Sequence, residues 1–180
     1  MSDIIELWKS AADGFAERVA AIGADDWTKP TCCDGWDVRA LVDHAIGAQR
    51  MVPKALGASG AIDTNDPDLQ ETWLAVRAAA HTALSAPGAL AQTVTLPFGD
   101  MPAEQGLSFP LGDVLLHSWD LARALGGDIR LNSQACELVL GALTPLDAGI
   151  RGPGIFGPKL EAAADADVQD QLLAFVGRQV

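Results

Sequence analysis

In the segment LGDVLLHSWDLARAL, Asp113, His117 and Asp120 stand at i, i+4 and i+7, a spacing that aligns their side chains in one narrow stripe of a helix. Solvent-facing stripes favour Lys, Glu, Arg and Gln, which suit helices, whereas this one uses Asp twice and His once. A carboxylate and an imidazole one turn apart can both reach a first-row divalent ion, and a third ligand from a facing helix leaves one coordination place open. Such an ion lowers the pKa of bound water or thiol, or polarises a carbonyl. His44 is the natural third ligand, giving His44, Asp113 and His117 as the metal set. Asp120 is the catalytic candidate, able to orient His44 or His117 as a hydrogen-bond acceptor or to handle a proton. The competing readings are a stripe that faces water and a buried histidine satisfied by a carbonyl or hydroxyl.

Other reactive residues point less sharply. Cys32, Cys33 and Cys136 form neither a Cys-x-x-Cys knuckle nor an even disulfide framework, which suits a reducing compartment. Cys33 precedes a helix start, where partial positive charge favours thiolate, so it is a second candidate nucleophile against the reading of a packing cysteine. His81 has no acidic or histidine partner one turn away and reads as structural or exposed. Trp8, Trp27, Trp36, Trp73 and Trp119 can line a pocket, but tryptophans at helical spacing are more often core.

These residues need helices to hold them. Ile4, Leu7, Trp8, Ala11, Phe15, Val19 and Ile22 recur at helical spacing, predicting a helix over residues 3–22 with Gly23 as its stop. Asp34 can cap a second helix from Trp36 to Leu56. On its wheel His44 projects beside Leu41 and Ala48, toward the core side. After the turn-rich stretch ASGAIDTNDPD a third helix runs from Pro67 to Leu84. Val94 and Leu96 suggest a short strand, limited by Pro97 to an edge or an extended loop. A fourth helix from Gly106 to Leu125 continues despite Pro110 and stops at Gly126–Gly127. Shorter helices follow at Ser133–Leu146 and Val168–Val176, separated by the loop GIRGPGIFGPK. The prediction is an all-α fold: one domain over residues 1–180, a four-helix bundle with a long crossover between its third and fourth helices and extra short C-terminal helices.

Composition removes several classes of function. Hydrophobic residues make up 49% and charged residues 20%, the profile of a folded globular chain. Lys and Arg number 12 against 24 Asp and Glu, and the resulting charge of −12 repels phosphate backbones and anionic lipids. Nucleic acid and membrane are therefore not expected partners. No apolar run reaches the ~18–20 residues of a spanning helix, and MSDIIELWKS carries acids where a signal peptide carries bases, so a cytoplasmic chain is expected.

The segment WTKPTCCDGWDVRALVDHAIG fits the pattern W-x-x-P-T-x-C-x-G-W-x-V-x-x-L-x-x-H, and DVLLHSWDLARALG fits acid-x-x-x-His-x-x-Asp-Leu. Both resemble the DinB-like superfamily of metal-binding helical bundles, and more narrowly the family of mycothiol-dependent maleylpyruvate isomerase. The tail DADVQDQLLAFVGR resembles the end of short family members, which lack the isomerase's extra C-terminal domain. The resemblance implies a DinB-like four-helix bundle, with His44, Asp113 and His117 at the family's metal-ligand positions and Asp120 at its acid one turn beyond. Asp113 stands where the isomerase has the longer Glu. Zinc is the ion implied, and mycothiol or a similar thiol the co-substrate.

The expected function is a metal-dependent enzyme of thiol chemistry, a mycothiol-type thiol transferase or isomerase acting on a small electrophile. Its partners are then a small-molecule thiol and an electrophile, with a homodimer an option for a bundle with exposed helix faces. The alternative is a non-catalytic bundle that binds a metal or small ligand.

Overall fold

The computed structural model describes residues 4–58, 68–96, 99–152 and 154–180. Helix α1 spans Ile4–Ala20 and buries Leu7, Trp8, Ala11, Phe15 and Val19, the stripe that its apolar spacing demands. Helix α2 spans Val38–Ala55 and α3 spans Leu69–Leu84. A hairpin of β1 (Thr93–Leu96) and β2 (Gly99–Pro102) and a single turn, α4 (Ala103–Gly106), lead into α5 (Ser108–Leu125). Helices α6 (Ser133–Leu143) and α7 (Val168–Phe175) follow. The four long helices form a ring: α5 lies beside α1 and α2, and α3 completes it against the same two. One contiguous core draws on all of them and on α6 and α7. The all-α bundle with a long crossover is thus the observed architecture. No helix among the described residues is long and apolar enough to cross a membrane.

Several boundaries differ from the sequence expectations, each for a local reason. The cap of α2 is Asp37 rather than Asp34: its side chain accepts the Ala40 N–H at 2.8 Å. Asp34 is instead part of a tight turn, in which Trp36 N–H donates to the Cys33 carbonyl, Thr31 N–H donates to the Trp36 carbonyl, and Gly35 adopts φ +77°. The strand expected at Val94 and Leu96 has a partner, β2, that its sequence GDMP did not advertise. The fourth long helix begins at Ser108, beyond the separate turn α4, and Pro110 falls in its first turn, where no intrahelical donor is needed. Helix α6 ends at Leu143, because Pro145 has no N–H to extend the ladder and a 3₁₀ turn takes over. Asp68 caps α3. Pro67, Pro97, Pro153 and residues 59–67 of the turn-rich connection lie outside the described residues.

A buried polar relay fixes α2 against α5. Gln49, fully buried, accepts the Trp8 indole N–H at 2.9 Å and donates from Nε2 to the Pro110 carbonyl at 2.9 Å. Both of its polar ends are satisfied, as burial requires. Gln49 follows His44 by about one turn, and Pro110 precedes Asp113 by about one turn. The antiparallel register that the relay selects therefore brings His44 opposite Asp113.

Helix α7 ends in a turn that sends the C-terminal residues back toward the bundle. Gly177 N–H donates to the Ala174 carbonyl and Arg178 N–H to the Leu173 carbonyl, the paired bonds of a Schellman motif. Gly177 has φ +82°, and a Cβ there would stand 2.8 Å from the Pro158 carbonyl oxygen, so only glycine fits. The next side chain, Arg178, points into the functional site.

Candidate metal centre

Helix α2 contributes His44, and α5 contributes Asp113 and His117. His44 Nε2 lies 3.1 Å from Asp113 Oδ1, and His117 Nε2 lies 3.7 Å from the same oxygen. The two imidazole rings meet edge to face, with centroids 5.0 Å apart. One donor atom from each residue falls within 4.8 Å of the other two. Trp36, from the turn before α2, packs over both rings at 4.6 and 5.8 Å.

The stripe on α5 does not face water: His117 is 8% exposed and Asp120 fully buried. His44 departs from its expected placement. Its side chain is 41% exposed, at the edge of the α2–α5 seam, while Leu41 and Ala45 take the core positions. The wheel angle of a residue is set by the helix, but where the seam ends depends on the neighbouring helix.

Asp120 lies behind the trio. Its Oδ2 receives His117 Nδ1 at 2.9 Å and Arg178 Nη2 at 2.8 Å, and its Oδ1 receives Arg178 Nε at 3.1 Å. Cys32 Sγ is 3.0 Å from Oδ1, and Cys33 Sγ is 3.3 Å from Oδ2. Burial pushes the carboxyl pKa up, but the bonds from His117 and Arg178 outweigh it and hold Asp120 well below the usual carboxylate range. An ionised Asp120 can only accept, so the His117 Nδ1 carries a proton and Nε2 is left facing Asp113.

That arrangement fits a divalent cation. Asp113 Oδ2 is buried with no hydrogen-bond partner among the described residues, and Asp113 Oδ1 faces two ring nitrogens. Without an ion the site draws a proton instead. Burial opposes an imidazolium at His117, but the bonds to Asp120 and Cys33 and the charge of Asp113 overcome it and raise its pKa to about 10. His44, Asp113 and His117 can thus hold an ion, with Asp120 fixing the orientation of His117. Of the two imidazoles offered as alternatives for Asp120 to orient, it is His117 that it contacts.

Cys32, Cys33 and Asp120 form a second group of close donor atoms. Its negative charge is already balanced by the Arg178 guanidinium, which contacts both Asp120 oxygens and lies 3.7 Å from Cys33 Sγ. The two thiols diverge. A hydrogen bond from Cys32 lowers the Cys33 pKa to about 6 against the effect of burial, with His117 adding to the fall, while Cys32 is raised. No histidine is near Cys33 in the sequence; folding supplies His117. Neither Trp36 as a ring cover nor Arg178 as a site residue is legible in the sequence, the only hint of the latter being a glycine just after a short terminal helix. His81 is half-buried, with Ser85 Oγ at 3.5 Å. Trp8, Trp73 and Trp119 are core.

Comparison with known proteins gives the same fold. Two Mycobacterium tuberculosis proteins, one from strain CDC 1551 / Oshkosh and one from strain ATCC 25618 / H37Rv, both named as uncharacterised, are 32% identical over 180 residues, covering 99% of this chain and 99% of each relative. A crystal structure of a mutant of the mycothiol-dependent maleylpyruvate isomerase superposes with a TM-score of 0.57 at 15% identity, over 84% of this chain and 72% of that one. The profile of the mycothiol maleylpyruvate isomerase N-terminal domain matches residues 8–122, a span that contains His44, Asp113, His117 and Asp120. With its DinB-like bundle, the chain belongs to the mycothiol maleylpyruvate isomerase N-terminal domain family.

Proposed function

We propose that His44, Asp113 and His117 hold a divalent ion, zinc, and that the chain is a metal-dependent enzyme that transfers a small-molecule thiol, mycothiol or a close analogue, to an electrophile. The observation that carries this reading is the half-buried Asp113 carboxylate, with one oxygen buried and unpartnered among the described residues and the other facing two imidazoles from different helices. The mycothiol dependence named for the structural neighbour supports the choice of thiol.

A divalent ion in this position supplies Lewis acidity that lowers the pKa of a thiol and gives a nucleophile near neutral pH. The chain's own residues prepare the site. His117 turns Nε2 outward because Nδ1 is held by Asp120. Arg178 keeps Asp120 ionised, so Asp120 is a positioning residue that acts through His117. Trp36 covers the rings on one side, and the exposure of His44 leaves the other side open to a substrate. In the transfer the thiol gives up its proton to solvent, sulfur bonds to the electrophilic carbon, and the leaving group departs with its electron pair. For a conjugated substrate, addition and later elimination of the same thiol gives isomerisation.

Elemental analysis of the purified protein tests the reading first, and a thiol-transfer assay follows. One divalent ion per chain is expected for wild type, with a large loss for His44→Ala. Ion-free wild-type protein, or undiminished binding by His44→Ala, sinks it.

A further inference from the structure

A cavity of about 250 Å³ lies between α2, the end of α3, the hairpin and the start of α5. Val52, Leu56, Val94, Leu96 and Phe109 are among its walls, and Asp113 is the one ionisable side chain among its described lining residues. No Lys, Arg or His is among them. The cavity and the candidate metal centre thus share a residue, Asp113.

We infer that this cavity holds the uncharged, apolar body of the electrophile, presenting its reactive carbon at the Asp113 end. The inference rests on the metal-dependent thiol reading for what happens at that end, but not for what fills the cavity. An apolar cavity of ~150 Å³ accommodates benzene. The space here therefore suits a larger body, such as a substituted or fused aromatic ring or an alkyl group of similar bulk. A carboxylate-bearing substrate is disfavoured: it would lose its hydration against Val, Leu and Phe side chains, with no Lys, Arg or His among the described lining residues to pair with it. The apolar walls provide what an uncharged ring needs, burial of hydrocarbon surface without an orphaned polar group. Substrate choice in this chain is then made by shape and apolarity, with the cationic contribution confined to the metal centre.

The test uses two probes of nearly equal bulk, 2-naphthol and 2-naphthoate, titrated into the protein as purified and after chelation, with binding read by ligand-observed NMR. 2-Naphthol should bind in both states with the same affinity. In the chelated protein 2-naphthoate should bind roughly tenfold or more weakly, the cost of burying its charge. Ala55→Phe and Ala48→Phe, each placing a ring in the cavity, should weaken 2-naphthol by about tenfold while circular dichroism reports an unchanged helical fold. Equal or tighter binding of 2-naphthoate by the chelated protein overturns the inference, and so does 2-naphthol binding that neither filled variant weakens. The wild-type comparison stands even if both variants misfold. Loss of the metal reading with 2-naphthol still bound leaves the cavity assignment intact, whereas an intact metal centre with no 2-naphthol binding removes the cavity assignment alone.

Discussion

His117 Nδ1 lies 2.9 Å from Asp120 Oδ2, and that bond decides which nitrogen of the imidazole faces Asp113. Asp120→Asn keeps the volume but gives His117 an amide that can turn its NH₂ toward Nδ1, so the proton can move to Nε2 and block ligation. The expected result is a 10–100-fold loss of ion affinity, roughly what changes to such supporting partners cost. A competitive chelator titration measures it. An unchanged affinity with a folded variant removes Asp120 from the positioning role.

The raised pKa of His117 predicts that ion binding expels a proton. Metal-free His117 keeps its imidazolium up to pH about 10, so near pH 8 each ion that binds must displace one proton. Apparent affinity should rise by about tenfold per pH unit below that value. Calorimetry in buffers of different ionisation enthalpy reads the proton directly; heats independent of buffer contradict it. The same shift governs the stability of the chelated protein. A folded-state pKa above the unfolded value stabilises fully below pH ~6.5 and loses that contribution as pH rises to about 10. Asp120 has the opposite sign: its contribution is present above pH ~4 and fades as pH falls toward its depressed pKa. Melting temperatures of chelated protein should therefore fall from pH 7 to 10, and those of the ion-loaded protein should fall less.

How far the sequence shows this site follows from which contacts are local. Asp113 and His117 share a helix face, and the spacing that aligns them is visible without a structure. His44 is legible as a motif histidine, but not its exposure, which depends on where α5 crosses α2. Asp34 and Asp37 both stand near the start of α2, and only the turn closed by Thr31 and Trp36 selects Asp37 as the cap. Arg178 reaches Asp120 from 58 residues away, through a turn at Gly177 and the packing of α7 on α6, neither of which leaves a periodic signal. The apolar cavity was equally hidden, since its far wall comes from a crossover hairpin with only four residues in each strand.

The two adjacent thiols should react in the reverse order of their exposure. Cys32 is exposed and Cys33 half-buried, yet Cys33 has the pKa lowered to about 6. Thiolate is the nucleophile, and at pH 7 Cys33 is then about nine-tenths ionised. Brief iodoacetamide treatment with peptide mass spectrometry should find Cys33 modified ahead of Cys32. Faster modification of Cys32 contradicts the lowered pKa.

Arg178 has a side chain only 13% exposed, and it pairs with a fully buried carboxylate. Arg178→Met removes the cation and leaves Asp120 with His117 as its remaining charged partner. Breaking a buried pair costs about 3–5 kcal/mol, and the surviving His117 bond places the change near the low end. The melting temperature should fall by roughly 6–12 °C. A fall of less than about 2 °C, below the effect of a 1 kcal/mol change, means that the pair contributes little beyond its surface neighbours.

Gln49 and His44 separate the frame of the site from its chemistry. Gln49→Leu keeps a similar volume but strands the buried Trp8 indole N–H, at a cost of about 1–3 kcal/mol. The melting temperature should drop by roughly 2–12 °C. Ion binding should persist at one per chain but with weaker affinity, because the relay that sets His44 opposite Asp113 has lost both of its bonds. His44→Ala does the reverse. Its side chain is 41% exposed, so the chelated variant should melt within about 2 °C of chelated wild type, as exposed substitutions do. Its ion affinity should collapse. Thermal melts and chelator titrations on the two variants give four measurements. If His44→Ala destabilises the chelated bundle as much as Gln49→Leu does, the imidazole at 44 is part of the frame rather than a ligand held by it.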